Sequence, residues 1–204
     1  MKKGLIALII IGVIAFGLYQ WGVGFNNTAV ELEADAKTAW SNVESSYQRR
    51  NDLIGNLVKT VQGAADFERG TLTDVIEARA KATSTTIDAD NLTPQNMEAF
   101  QQAQSGLTGA LSRLMVVVER YPELKANQNF LELQSQLEGT ENRINVARDR
   151  FNAEVNEYDI HTTKFPGKLL AGVFGFEEMA RYSADPGSED APDVDFDFGS
   201  PEGE

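Results

Sequence analysis

Residues 40–65 carry the sequence WSNVESSYQRRNDLIGNLVKTVQGAA. Alternating steps of three and four residues pick out a regular series within it: Trp40, Val43, Tyr47, Arg50, Ile54, Leu57, Val61 and Ala64. A period of about 3.5 residues is typical of a helix that packs along its whole length against partner helices. Only Arg50 in this seam is charged. The stretch therefore predicts an all-α fold in which the other helices are arranged around this one.

The rest of the chain predicts three further helices. We expect helices over about 27–67, from 71 to about 83, over 93–121 and over 127–163. The third begins with Thr93 and Pro94, an N-cap hydroxyl followed by the residue favoured at the first helical position. Short connections make neighbouring helices antiparallel. The predicted architecture is thus an antiparallel four-helix bundle, up-down-up-down, with long first and fourth helices.

An apolar stretch, GLIALIIIGVIAFGLYQWGVGF, precedes these helices at residues 4–25. A helix of this length spans roughly 33 Å, which is enough to cross the hydrocarbon core of a bilayer. Tyr19 and Trp21 near its end suit the headgroup zone. The alternative is a signal peptide cleaved near Gly22-Val23-Gly24, a poor small-residue cleavage site. Because the helical pattern resumes almost at once, we prefer an uncleaved transmembrane anchor over residues 1–26.

The charges on either side of this stretch predict its orientation. Lys2 and Lys3 precede it, whereas the first basic residue after it is Lys37, which follows Glu31, Glu33 and Asp35. By the positive-inside rule, the N-terminus is expected in the cytoplasm and the bulk of the chain outside the cell membrane. The opposite orientation is the alternative, since only two lysines decide the rule here.

The composition excludes several classes of function. The chain has no cysteine, which rules out disulfides and Cys-ligated metals, and its one histidine, His161, cannot build a His-based metal cluster. We therefore expect no catalytic residue, cofactor or metal. No basic patch suits a nucleic acid. Residues 183–204 hold eight acidic residues and no basic one, which predicts a disordered acidic tail after a helical domain over 27–182.

Polar residues interrupt the apolar seams of the predicted helices: Arg50, Gln104, Gln134, Glu141 and Arg148, with Glu77 and Arg79 grouped with them by pattern. Because buried charges persist only when paired and hydrogen-bonded, Arg50, Glu141 and Arg148 are expected to meet inside the bundle. We interpret the cluster as structural, fixing the register of the helices. The alternatives are a pocket for a small ligand or a partner carboxylate, and a carboxylate site for acid–base hydrolysis, which lacks a second acidic residue across the seam from Glu141.

The most apolar stretch outside the anchor follows the fourth predicted helix. Helices of about 60, 25, 40 and 55 Å, placed out and back, return the chain to roughly 20 Å from the membrane. The chain at that point contains six large apolar residues: Phe165, Leu169, Leu170, Val173, Phe174 and Phe176. Our preferred interpretation is a cap over the open end of the bundle. The alternative is a segment lying in the membrane interface, with Lys164 and Lys168 reaching headgroups.

Several local strings resemble those of the LemA family of bacterial membrane proteins. They occur in order along the chain: Tyr47–Ile54, Asn56–Val58, Glu77–Arg79, Tyr121–Ala126, Thr140–Ile144, Ala147–Arg148, Phe165–Pro166 and Phe174–Phe176. The resemblance implies a single N-terminal transmembrane helix followed by an antiparallel helical bundle, with no established enzymatic activity. Genes of the family often lie near membrane metalloproteases of the HtpX type, which suggests a membrane protein as partner.

Three functions are compared on these observations. The first is a membrane-anchored scaffold or interaction module for another membrane or envelope protein, whose partners are that protein and the lipid bilayer. The second is a sensor that binds a small molecule at the polar cluster. The third is an enzyme, which the lack of cysteine and the single histidine disfavour. We favour the first, and the sequence leaves the oligomeric state open.

Overall fold

A computed structural model describes residues 2–63 and 68–183, and this part of the chain is helical with no strand. The helices are α1 (Lys2–Gln62), α2 (Arg69–Ser84), α3 (Pro94–Val118), α4 (Pro122–Lys125), α5 (Gln128–Thr163) and α6 (Gly167–Phe174). The all-α prediction is confirmed. The seam residue Ala64 and the predicted acidic tail beyond Ser183 lie outside the described residues.

The predicted starts of α3 and α5 are confirmed by their capping hydrogen bonds. The Thr93 hydroxyl accepts from the backbone N–H of Asn96 at 3.3 Å, and Pro94 is the first residue of α3. The Asn127 side chain likewise accepts from two backbone N–H groups at the start of α5. The predicted start of the second helix at Thr71 is wrong, because α2 already begins at Arg69 without a side-chain cap.

Helix α1 runs without a break from the apolar stretch into the seam that decides the fold. Its 61 residues correspond to a rod of about 90 Å. Residues 3–21 are exposed on every side, whereas from Gly22 onward residues of one face are buried at helical spacing. The N-terminal part is long and apolar enough to cross a membrane. The anchor and the first bundle helix, predicted as separate units meeting at residues 26 and 27, are therefore one element.

Helix α5 packs antiparallel to α1 along most of its length. The Phe25 ring stacks on His161 with centroids 4.5 Å apart, and farther along α1 the Trp40 ring lies 5.2 Å from Phe151. As residue numbers rise on α1 they fall on α5, which fixes the antiparallel direction. The end of α5 is thereby placed beside the end of the apolar stretch, as the predicted out-and-back path requires.

Helix α3 runs in the same direction as α1, with α2 packed between them. Trp40 lies against Phe100, with ring centroids 5.4 Å apart, while Arg50, farther along α1, reaches Gln104. Trp40 is fully buried, and its indole N–H donates to the carbonyl oxygen of Ile87 at 3.3 Å, which satisfies its one polar group. This side chain therefore joins α1, α3, α5 and the loop before α3 in one core.

Candidate functional site

Arg50 is the centre of a polar cluster inside the fold. Its side chain is only 6% exposed. One terminal nitrogen, Nη2, donates to Oε1 of Gln104 at 2.7 Å, and the other, Nη1, donates to Oε2 of Glu141 at 3.1 Å. The guanidinium carbon lies 4.8 Å from the centre of the Tyr47 ring. The cluster thus ties α1 to α3 and α5 through a guanidinium that is mostly hydrogen-bonded.

Gln104 extends the cluster to the end of α2. It is buried, its amide oxygen accepts from Arg50, and its amide nitrogen donates to the carbonyl oxygen of Ala82 at 3.3 Å. A buried amide with both ends hydrogen-bonded holds a fixed orientation. Gln104 therefore sets the position of α3 relative to both α1 and α2.

Glu141 is at the edge of the cluster and not in its interior. Its side chain is 47% exposed, so the prediction that it would be a buried charge is wrong. The reason is that Glu141 lies at the lip of an opening between α3 and α5, where one side of its carboxylate meets solvent. Solvent screening weakens an ion pair at such a position.

The contacts of the described residues give Arg148 other partners than Arg50 and Glu141, which it was predicted to meet. The guanidinium of Arg148 lies over the ring of Tyr182, 3.9 Å from its centre, and donates to the carbonyl oxygen of Ser183 at 3.3 Å. A segment following α6 occupies this position beside α5 and gives Arg148 its own partners. Arg148 therefore belongs to a second polar contact.

The remaining predicted polar residues are dispersed. Arg79 donates from Nε to the carbonyl oxygen of Asn51 at 2.7 Å, and its guanidinium packs against Gly55, where a Cβ would lie 3.0 Å from Nη2. Glu77 is exposed on α2, and Gln134 lines the opening between α3 and α5. Arg79 thus joins α2 to α1, whereas Glu77 takes no part in the cluster around Arg50.

A cleft of about 220 Å³ opens between α3 and α5 beside the cluster. Its walls are mainly apolar, with Arg50 and Glu141 at one end; the apolar part includes Ile54, Leu111, Met115 and Leu137. Nε of Arg50 is buried with no hydrogen-bond partner among the described residues. Residues 2–63 and 68–183 include no group of three or more His, Asp or Glu side chains that could hold a metal ion.

The second polar contact, which the sequence did not predict, fastens the chain after α6. Residues 177–183, here called the strap, run along α5 and reach α1, where the hydroxyls of Tyr47 and Tyr182 are 2.6 Å apart and buried. The side-chain amide of Asn152 makes two hydrogen bonds with the backbone of Tyr182, at 2.8 and 2.9 Å. Burial raises the pKa of both tyrosines. No period marks such a segment in the sequence, because it is held by single side chains.

The predicted apolar segment after α5 forms a short helix, α6, beside the base of the bundle. Ala171 is buried against Phe25 and Ala29, and Leu170 and Phe176 are partly buried in the same cluster. Phe165, Leu169 and Val173 point outward and are 83%, 64% and 78% exposed, whereas Phe174 is 45% exposed and packs beside Gly22. The segment therefore packs by one face only. A cap over the core, the preferred interpretation of the sequence, would bury more of its large side chains.

Comparison with known proteins identifies the class of protein. The family model of the LemA family matches residues 39–196. The chain belongs to the LemA family. The match begins at the residue before Trp40 and includes the Arg50 cluster, α6 and the strap.

Individual relatives extend this result. The chain is 30% identical to the magnetosome proteins MamQ 1 and MamQ 2 of Paramagnetospirillum magneticum, over 184 residues that cover 80% of this chain and 66% of theirs. It is 26% identical to Protein LemA of Metamycoplasma hominis over 158 residues, 77% of this chain and 65% of that protein. The match thus spans just under two thirds of each relative's length. The family and these relatives indicate that the chain is a membrane-associated helical protein.

Proposed function

We propose that this chain is a single-pass, membrane-anchored helical scaffold that presents an interaction surface to another membrane or envelope protein, without catalysis. The observation that carries the proposal is the continuity of α1. One helix supplies both an apolar segment exposed on all sides and the central helix of the folded domain. An anchor joined to a domain without a linker holds that domain at a set height and orientation above the bilayer.

The proposed architecture is an antiparallel four-helix bundle formed by α1, α2, α3 and α5. The contacts of Trp40 with α3 and α5, and those of Arg50 with the same two helices, are what a bundle core requires. The Arg50 cluster would fix the register of the helices, because any slip separates the donors of the buried Arg50 from their acceptors. A guanidinium, an amide and a carboxylate already bonded to one another are suited to this structural role.

The proposed topology places the N-terminus in the cytoplasm and the bundle outside, as the lysines before the apolar stretch favour. Cleavage at Gly22-Val23-Gly24 would cut α1 in mid-helix and remove the residue against which Phe174 packs, since the Phe174 ring lies 3.9 Å from where a Gly22 Cβ would be. An uncleaved anchor retains this contact.

The contact points proposed for the partner are two exposed aliphatic residues of the bundle remote from α6. They are Val116 on α3 and Val146 on α5, which are 72% and 68% exposed. Exposed aliphatic side chains on rigid helices are suited to helix-on-helix recognition. The partner's identity is expected among membrane or envelope proteins, and an HtpX-type metalloprotease is a candidate suggested by the family resemblance alone.

Photocrosslinking in native membranes tests this proposal. A benzophenone amino acid is placed at Val116, Val146 and, as a control on the polar exposed surface, Glu98. The expected result is that one membrane or envelope protein is captured from position 116 or 146 but not from position 98. Replacing the other valine by glutamate, Val146→Glu or Val116→Glu, should reduce this capture. If the three positions give no protein adduct, or all give the same abundant proteins equally, the scaffold proposal is wrong.

A second candidate function is favoured by the cleft between α3 and α5. Its apolar walls and the partly unsatisfied Arg50 at its end suit a small molecule with an apolar body and a hydrogen-bonding group. Native mass spectrometry of the full chain released from membranes tests it. A retained small molecule that is lost in Leu111→Trp, which fills the cleft, but kept in Leu131→Trp, outside the cleft lining, would support the sensor over the scaffold.

A further inference from the structure

The level of α6 relative to the apolar stretch is fixed by its contacts with α1. The Phe174 ring packs beside Gly22 and lies 6.4 Å from the ring of Phe25. Tyr19 and Trp21, within one turn before Gly22 on α1, are exposed and are the residue types that occupy the headgroup level of a bilayer. If α1 crosses a membrane, α6 is therefore held at or next to that level.

Helix α6 has three distinct sides. At about 100° per residue, Gly167 and Ala171 fall on the side that is buried against α1. Leu169 and Val173 fall on the opposite side and are largely exposed. Lys168 lies on the flank between them and is exposed. This is the distribution of an amphipathic helix that contacts protein with one side and an apolar phase with the other.

We propose that α6, with Phe165, is an interfacial helix that inserts Phe165, Leu169 and Val173 into the boundary between headgroups and acyl chains of the leaflet from which α1 emerges. Exposed Lys164 and Lys168 would bind anionic lipid phosphates there. The inference rests on the proposed anchoring by α1, and it gives the protein a second, independent contact with the bilayer.

The bilayer fits this surface better than a second copy of the chain does. Three side chains offer a small fraction of the roughly 800 Å² per partner that a stable protein interface buries. They belong to a helix that packs beside Gly22, next to the exposed apolar residues 4–21, which a bilayer would cover along their whole length. One apolar phase accounts for both surfaces.

Spin labelling of the full chain in vesicles of phosphatidylethanolamine and phosphatidylglycerol tests the proposal. The chain has no cysteine, so single variants such as Leu169→Cys and Val173→Cys can each carry one nitroxide. Matched controls are Val116→Cys, an exposed aliphatic residue of the bundle, and Ile9→Cys in the apolar stretch. Collision of each nitroxide with oxygen, which concentrates in lipid, is compared with collision with a water-soluble nickel chelate.

The expected result is an oxygen-to-nickel accessibility ratio several-fold higher at positions 169 and 173 than at 116, and highest at 9. If positions 169 and 173 match 116, α6 faces water and the inference is wrong. If they are shielded from both reagents and show spin–spin broadening, a second copy covers the surface and the inference is also wrong. A low ratio at position 9 would instead refute the anchor itself, which separates the two failures.

Discussion

The hydroxyl groups of Tyr47 and Tyr182 share a buried hydrogen bond of 2.6 Å that joins α1 to the strap across 135 positions of sequence. Arg148 covers the Tyr182 ring from the α5 side, and Asn152 holds the backbone of the same residue. The strap is thereby fastened at one residue, Tyr182, by three helical residues. The stability of this contact should depend on pH, because both partners are ionisable.

Raising the pH should loosen the strap. Unfolded tyrosines ionise near pH 10, whereas burial raises the pKa of Tyr47 and Tyr182 in the folded chain. The stability they contribute is therefore complete below about pH 10 and is lost as the pH rises through the folded-state values. Thermal melts between pH 8 and pH 11 should show a steeper loss for the parent than for Tyr47→Phe/Tyr182→Phe.

Lys37 requires a control, because hydrogen bonds to Asp90 and Glu33 raise its pKa. The stability that Lys37 contributes is therefore also lost as the pH rises through the same range. The comparison is therefore repeated in Lys37→Met. If thermal stability falls equally steeply with pH in the protein with both tyrosines and in the protein with both phenylalanines, the two hydroxyls do not contribute to the pH dependence.

The stability of the fold should respond very unequally to the loss of Arg50 and to the loss of Glu141. Arg50→Ala is expected to cost about 3 kcal/mol in the free energy of unfolding, because Gln104 loses its buried partner. Glu141→Ala should cost about 1 kcal/mol or less, since that carboxylate is half-exposed and screened. Arg143→Ala, an exposed neighbour on α5, serves as the control and should be within about 0.5 kcal/mol of the parent.

Denaturant unfolding of the double variant measures how far Arg50 and Glu141 act together. A coupling of about 0.5 kcal/mol or more is expected from the 3.1 Å contact. Strict additivity would contradict the prediction that they belong to one network.

Two glycines of α6 should behave oppositely on replacement by alanine. A Cβ at Gly167 would lie 2.7 Å from the carbonyl oxygen of His161 and 2.9 Å from the Phe25 ring, so Gly167→Ala must push α6 away from α1. A Cβ at Gly172 meets nothing within 4 Å. Circular dichroism melts should show Gly167→Ala destabilised by about 1–3 kcal/mol and Gly172→Ala unchanged or slightly stabilised. Similar losses for both would mean that α6 does not dock as described.

The orientation in the membrane should follow the lysines before the apolar stretch. Ser105→Cys places one thiol on an exposed position of α3, in a chain that otherwise has none. A membrane-impermeant maleimide added to intact spheroplasts should label it, and Val13→Cys in the apolar stretch should stay unlabelled. Labelling of Ser105→Cys only after lysis would place the bundle in the cytoplasm.

The sequence was sufficient for elements that rest on local or periodic signals. The seam from Trp40 predicted the central helix, and Thr93 and Asn127 marked helix starts, because a cap is decided by a side chain and its own next turn. The contact of Arg50 with Glu141 was also expected, since both fall on apolar seams. Periodicity reports which face of a helix is turned inward.

Periodicity does not give how deeply a residue is buried, and the surroundings predicted for Glu141 and Arg148 were wrong. Glu141 and Arg148 lie on one face of α5, yet one lies at the lip of a cleft and the other under the strap. Their surroundings depend on the spacing between α3 and α5 and on where residues 177–183 run. Neither is encoded by a repeat in α5 itself. The same holds for α6, whose composition does not state which side meets α1.

Because α1 is unbroken, a change in the tilt of its N-terminal part moves the whole bundle. If the apolar segment spans a bilayer as proposed, about 55 Å of α1 lies beyond residue 25, so a change of 10° in tilt would move the far end of α1 by roughly 10 Å. Membrane thickness sets the tilt of such a segment through hydrophobic mismatch. Bilayers of different thickness would then carry the distal tip of the same protein to different places.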